Sequence, residues 1–229
     1  ANCLNMMGAD VHGAGTDVIK VHGVKQMHGC NYSIIPDQIE AGSYMVAAAI
    51  TKGDVTLHNV IPKHLEPITA KLRAAGCTIQ EYDDALRITR TGPLHPLKVK
   101  TMPHPGFPTD MQAQIMVLSA LADGSSVITE NIFENRFMFA SELVRMGADI
   151  RIESHHAMIH GVKGFSGAQV TSPDLRGGAA LVVAGLIADG TTEVSAIHHI
   201  KRGYEQFVEK LQALGAHVEH ATVPDPVIY

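Results

Sequence analysis

The sequence predicts an α/β chain made of repeated units in which helices are covered by sheets, and three observations carry that prediction. Four short segments share one pattern: LNMMGADV (4 to 11), LRAAGCTI (72 to 79), LVRMGADI (143 to 150) and LQALGAHV (211 to 218). Their glycines, Gly8, Gly76, Gly147 and Gly215, lie 68, 71 and 68 residues apart. Each segment reads as the last turn of an amphipathic helix, a glycine in the left-handed cap position, and a strand that starts at once. A third signal lies upstream in each full unit, where the apolar runs AGSYMVAAAITKGDVTL, QIMVLSALADGSSVIT and GGAALVVAGLIADGTTEVS stop at Gly53, Gly124 and Gly190. From these glycines to the next cap glycine is 23, 23 and 25 residues, room for a strand and a second helix. A period of this regularity marks one structural unit.

Taken in order, residues 1–33 hold the end of one unit: a helix turn, Gly8 and a strand. Three units then follow, at about 34–101, 102–165 and 166–229, each reading helix, strand, helix, strand. A second strand usually returns as a hairpin, as in ADIRIESHHAMIHGV. The first helices begin at PDQIE, PTDMQ and SPDLR, which puts Asp37, Asp110 and Asp174 at equivalent points. Local physics explains these aspartates without any chemistry. Thr109 with Gln112 and Asp37 with Glu40 have capping-box spacing, Ser172 before Pro173 reads as a cap followed by proline at the first helical position, and a carboxylate in a first turn gains about 0.3–1 kcal/mol from the helix dipole. Because residue 1 stands only seven residues before Gly8, we expect the chain to be the C-terminal portion of a longer protein whose remainder packs on residues 1–33.

Composition narrows the function. Of 229 residues, 45% are hydrophobic, enough for a sizeable core. Eighteen basic against twenty-three acidic residues give a net charge of −5 with no Lys/Arg run, which argues against a nucleic-acid partner. ALVVAGLIA (180 to 188) is too short to cross a bilayer and the N-terminus has no targeting pattern, so we expect a cytoplasmic protein without a membrane partner. Cys3, Cys30 and Cys77 read as ordinary thiols. Fourteen histidines show no HxxxH or other ligand spacing: His155 and His156 fall in a hairpin turn, and His217 and His220 lie an odd distance apart on an expected strand. Neither metal nor cofactor is expected.

Three repeats wound about one axis would bring three helix N-termini to one end, an end that attracts anions. Basic residues recur near the starts of the second helices, as Lys63 with His64, Arg136, and Lys201 with Arg202; they read equally as solvated surface charge.

The runs PDQIEAG (36 to 42), PHPGFPTDMQAQ (103 to 114), FENRFM (133 to 138), SGAQV (166 to 170), DLRGGAALVVAG (174 to 185) and IKRGYE (200 to 205), in this order, resemble the bacterial UDP-N-acetylglucosamine enolpyruvyl transferases of peptidoglycan synthesis. The resemblance covers essentially the whole chain. It implies an inside-out α/β barrel, helices inside and sheets outside, with residues 1–33 ending one domain and 34–229 forming most of a second that lacks its N-terminal strands. It implies phosphoenolpyruvate and UDP-N-acetylglucosamine as substrates, and Asp110 as the base that takes the proton of the sugar 3-hydroxyl. Arg136 and Arg202 would bind the phosphoenolpyruvate anion, Ile132 and Phe133 would line the nucleotide-sugar pocket, and Asp37, Asp174 and Arg176 would belong to the charged cleft. Gln38 departs from the family's usual arginine. No cysteine here matches the family's reactive one, which sits in the portion before residue 1, so the chain alone is expected to be inactive. The sister enzyme acting on shikimate 3-phosphate, and a non-catalytic anion-binding domain, are the alternatives.

Overall fold

The computed structural model describes residues 1–222, so the last residues of the third repeat lie outside it. The chain divides into two compact units, Ala1–Asp37 and Gln38 onward. In the first, helix α1 (Asn2–Met6) ends at Gly8 and strand β1 (Asp10–His12) pairs antiparallel with β2 (Lys20–His22). Asn5 fastens the helix to the hairpin: its Nδ2 donates to Val11 O at 2.8 Å and its Oδ1 accepts from Val11 N at 2.9 Å.

In the second unit three helices, α2 (Gln38–Ile50), α4 (Gln112–Ser119) and α6 (Leu175–Gly185), pack against one another. Nearly every side chain on them is buried, polar Ser43, Gln112, Gln114 and Ser119 included, which is the burial of helices that are apolar all round. The sheets lie outside them. The first repeat gives β3 (Asp54–His58), β4 (Thr78–Glu81) and β5 (Ala85–Thr89) in the order β3-β5-β4. The second gives β6 (Lys98–Lys100), β7 (Ser125–Thr129), β8 (Asp149–Glu153) and β9 (His156–His160) in the order β6-β7-β9-β8. The third gives β10 (Gln169–Thr171) and β11 (Glu193–Ser195). The second helices are α3 (Pro62–Ala74), α5 (Ala140–Arg145) and the pair α7 (His198–Lys201) and α8 (Phe207–Ala213). No helix among the described residues is long and apolar enough to cross a membrane.

The repeat signature is a hydrogen-bond motif. Gly8, Gly76, Gly147 and Gly215 have φ of +91°, +97°, +98° and +93°. In all four, the glycine N–H and the next N–H turn back to helix carbonyls three and five residues earlier: Gly8 to Asn5 and Ala9 to Leu4, Gly76 to Arg73 and Cys77 to Leu72, Gly147 to Val144 and Ala148 to Leu143, Gly215 to Gln212 and Ala216 to Leu211. That pair of bonds is the Schellman ending.

Several local expectations need correction. Strands β6 and β10 precede the first helices of the second and third repeats and pair parallel with β7 and β11, so these units begin with a strand. No strand forms at His217 and His220. His156 opens β9 and leaves only His155 in the turn. At the end of α2 the left-handed residue is Lys52, with φ +56°, one before Gly53. Thr109 caps nothing. It begins a 3-10 turn, Thr109–Met111, and its hydroxyl donates to Glu130 Oε2 at 2.9 Å. The cap of α6 is Asp174 itself, accepting from Arg176 N and Gly177 N at 2.8 Å each, while Ser172 donates to Asp174 O.

Glu130 follows β7 and is 2% exposed. Its Oε1 accepts from Thr101 Oγ1 and Ile132 N at 2.9 Å and from Phe133 N at 3.2 Å, while Oε2 takes Thr109. A buried carboxylate survives only when its oxygens are satisfied this fully. One side chain thereby joins strand end, 3-10 turn and the 132–133 loop.

Two outcomes follow. Gly147→Ala meets no atom within 4 Å, so its cost is conformational alone, about 1–2 kcal/mol in denaturant unfolding. Glu130→Gln places an amide where four donors converge and is expected to lower stability by about 1–3 kcal/mol in the same assay.

Candidate active site

Asp110 is the middle residue of the 3-10 turn that leads into α4. Because the turn has no side-chain cap, the carboxylate is free to face outward from its own helix. Both oxygens are held by guanidiniums from other repeats or loops. Arg136 Nη2 donates to Oδ1 at 2.6 Å, and Arg176 donates to Oδ2 through Nε at 3.2 Å and Nη2 at 3.1 Å. Arg176 stands in the first turn of α6, so the starts of α4 and α6 meet at one end of the core, two of the three helix starts that the repeat geometry anticipated there.

Each arginine rests on an aromatic ring. The Arg136 guanidinium carbon lies 4.8 Å from the centroid of Phe133 and that of Arg176 lies 5.6 Å from the centroid of Tyr204, both within cation–π range. Burial opposes the charge on Arg176, but Tyr204 and the Asp110 carboxylate outweigh it and raise its pKa above the usual guanidinium value. Tyr204 is anchored in turn. Its hydroxyl lies 2.8 Å from Ser43 Oγ of α2, and Gln114 Nε2 of α4 donates to both, at 3.0 and 3.2 Å. This buried trio links α2, α4 and the turn after α7 directly beneath Arg176.

Two buried donors at this end have no partner among the described residues: Arg176 Nη1 and Gln112 Nε2. Such orphans cost about 1–3 kcal/mol each in a closed protein, a cost that ligand or water removes. Two guanidiniums and an exposed aromatic ring, Phe133, make this end suited to an anion carrying an apolar or planar group.

Asp110, Arg136, Arg176, Ile132 and Phe133 are thus brought together, the last two through Glu130. Asp174 sits beside them with one oxygen occupied by its own helix. Arg202 ends α7, is exposed, and makes no ion pair with this group among the described residues. Asp37 is exposed and directly precedes α2. Lys63 and His64 line a separate shallow recess with Gln38, Met102, His104 and Pro108. Sequence reasoning missed Glu130, Ser43, Gln114 and Tyr204. Tyr204 alone offered a signal, as the aromatic residue inside IKRGYE. Of the thiols, Cys77 is buried and its pKa is pushed up to about 11 by desolvation.

The family model described as EPSP synthase (3-phosphoshikimate 1-carboxyvinyltransferase) matches residues 1–211. A protein of Caldanaerobacter subterraneus subsp. tengcongensis named UDP-N-acetylglucosamine 1-carboxyvinyltransferase 3 is 60% identical over 95% of this chain and 52% of its own length. A protein of Desulfofundulus thermocisternus named UDP-N-acetylglucosamine 1-carboxyvinyltransferase is 56% identical over 96% of this chain and 91% of its own length. The enolpyruvyl transferase NikO of Streptomyces tendae superposes with a TM-score of 0.85 at 28% identity, over 96% of this chain and 53% of its own. An EPSP synthase of Acinetobacter baumannii, at 22% identity and a TM-score of 0.73, shares the fold. The chain spans about half the length of the Caldanaerobacter relative. It belongs to the enolpyruvyl transferase family, the EPSP synthase family of carboxyvinyltransferases.

Proposed function

We propose that the chain is the larger part of a UDP-N-acetylglucosamine enolpyruvyl transferase of peptidoglycan synthesis, acting in the cytoplasm. It would move the enolpyruvyl group of phosphoenolpyruvate to the sugar 3-hydroxyl and release phosphate. The observation that carries this reading is the Asp110 carboxylate clamped between Arg136 and Arg176, with Arg176 Nη1 left unpartnered beside it. Relatives bearing that enzyme's name, at 51–60% identity, support the choice of substrate.

In this proposal the sugar 3-hydroxyl attacks C2 of phosphoenolpyruvate while Asp110 takes its proton and an acid from the other domain protonates C3. The tetrahedral adduct then loses phosphate from C2 and a proton from C3. Each Asp110 oxygen keeps a lone-pair site that can meet a hydroxyl proton, and turning one guanidinium aside opens the approach to it. Arg136 is the one to turn toward the substrate anions. It is bonded through a single nitrogen, rises from an irregular loop and is 24% exposed, whereas Arg176 binds through two nitrogens from a helix and is 15% exposed. Arg202 would approach the phosphate from the turn after α7. Ile132 and Phe133 would line the nucleotide-sugar pocket, and Asp174 and Asp37 would complete the charged rim. Residues 1–33 would belong to the domain that brings the reactive cysteine.

A second reading takes its support from the family model's own description, a carboxyvinyltransferase acting on shikimate 3-phosphate. Phosphate release separates the two. The chain alone is expected to give no turnover with either acceptor. With the complementary half of the Caldanaerobacter relative supplied, phosphate release should appear with UDP-N-acetylglucosamine and not with shikimate 3-phosphate; the reverse preference would transfer the assignment. In that assembled enzyme Asp110→Asn should lower kcat by about 10²–10⁴-fold while sugar-nucleotide binding persists. Near-normal turnover would remove Asp110 from the chemistry.

A further inference from the structure

We propose that the β1–β2 hairpin is a binding site for one divalent ion of the zinc, nickel and copper class, held by Asp10, His12 and His22. The register creates the site. Asp10 lies directly across from His22, and His12, two residues on along β1, returns to the same face. Their ligand atoms all lie within 4.8 Å of one another. Asp10 Oδ1 is 2.5 Å from His12 Nε2 and Asp10 Oδ2 is 3.0 Å from His22 Nδ1. An ion bonded at about 2.0–2.2 Å to each ligand needs donors about 3.4 Å apart, so the Asp10 carboxylate would open slightly from both rings to admit it. The two imidazole centroids are 6.3 Å apart and inclined by 58°, so the rings are tilted and do not stack face to face.

Two imidazoles and one carboxylate are the donor set of borderline transition ions; magnesium and calcium prefer oxygen alone. The scaffold is rigid where it matters. Asn5 grips Val11, the residue between Asp10 and His12, by both backbone groups. In the connecting loop the Thr16 hydroxyl lies 2.7 Å from Gly13 O and 3.0 Å from Val18 O, and its one proton serves one or the other. Lys20, across from His12 on the same face, opposes a cation and holds the affinity below that of an enclosed zinc site. Sequence spacing concealed the group because one ligand comes from the opposite strand. Bound metal would staple the hairpin closed, leaving water in the remaining coordination positions.

Calorimetric titration of the 229-residue chain with ZnCl2 tests this. One ion per chain is expected, with Mg²⁺ unable to compete. Losing an outer-shell partner already costs about 10–100-fold in affinity, so His12→Ala, His22→Ala and Asp10→Asn should each weaken binding at least about tenfold. The adjacent pairs His155/His156 and His198/His199, which lie on other elements, serve as controls whose substitution should leave Zn²⁺ binding unchanged. The Co²⁺ form of the unaltered chain, which needs no variant to fold, should show the d–d bands of a nitrogen-ligated ion. Absence of stoichiometric Zn²⁺ binding, binding that survives replacement of all three residues, or a Co²⁺ spectrum identical to the aqueous ion would each overturn the proposal.

Discussion

Close approach of α2, α4 and α6 is the constraint on which the second unit depends. Gly42 shows how tight it is: a Cβ there would lie 2.8 Å from Met111 Sδ and 2.9 Å from its Cε. Gly178 of α6 is tighter still, since a Cβ would fall 2.0 Å from Ser172 Oγ. Small residues at these points let the three helices and the segments that lead into them share one buried centre, and the sheets need only cover their outer sides. Contacts of this density gain dispersion energy but cannot relax, so a displaced helix start moves whatever it carries. Met111, pressed against Gly42, is the neighbour of Asp110. Helix packing therefore fixes the carboxylate to within the reach of a hydrogen bond.

The polar trio at the head of this core gives the approach a unique register. Ser43, Gln114 and Tyr204 come from three different segments, and their bonds are made only if α2, α4 and the turn after α7 arrive together. Apolar contacts alone would tolerate sliding along a helix; directional bonds in a low-dielectric interior do not. Tyr204 transmits that registration upward, since its ring lies beneath Arg176 while its hydroxyl is fixed below. Glu130 supplies the same service on the other flank, where Thr109 and the 132–133 loop converge on it. Asp110 stands between two independently anchored supports.

What the sequence showed, it showed through local physics repeated four times. Glycine after a helix turn is readable because only a left-handed residue closes the Schellman bonds, and four copies made the period unmistakable. The first helices were legible from their continuous apolar runs, and the end of the core where their N-termini gather followed from counting repeats. The three-residue strands β6 and β10 were not legible. KVK and QVT are too short to display alternation, and they become strands only because β7 and β11 offer parallel edges. The strand expected at His217 is not formed, and among the described residues nothing pairs with that segment. Long-range partners were invisible altogether. Nothing near Glu130 in the chain announces Thr101 or Thr109, and Ser43 reads as one small residue among alanines until Tyr204, 161 positions away, meets it.

Asp110 and Asp174 start from equivalent points of their repeats and end in different chemistry. Asp174 takes the extended backbone of an N-cap, and its Oδ1 accepts two helix N–H groups at 2.8 Å. Those bonds turn one oxygen inward on its own helix. Asp110 is embedded in a 3-10 turn whose cap position is Pro108, so its carboxylate gains nothing from its own backbone. Its oxygens go instead to two cations that come from elsewhere. The same position that caps one helix is therefore turned away from its own backbone in the next, where the first turn has no side-chain cap. Here Thr109 does not cap either; its hydroxyl is drawn to Glu130, and the first turn tightens into 3-10 geometry. A buried glutamate, by holding the neighbouring threonine, fixes the turn from which Asp110 meets its two guanidiniums.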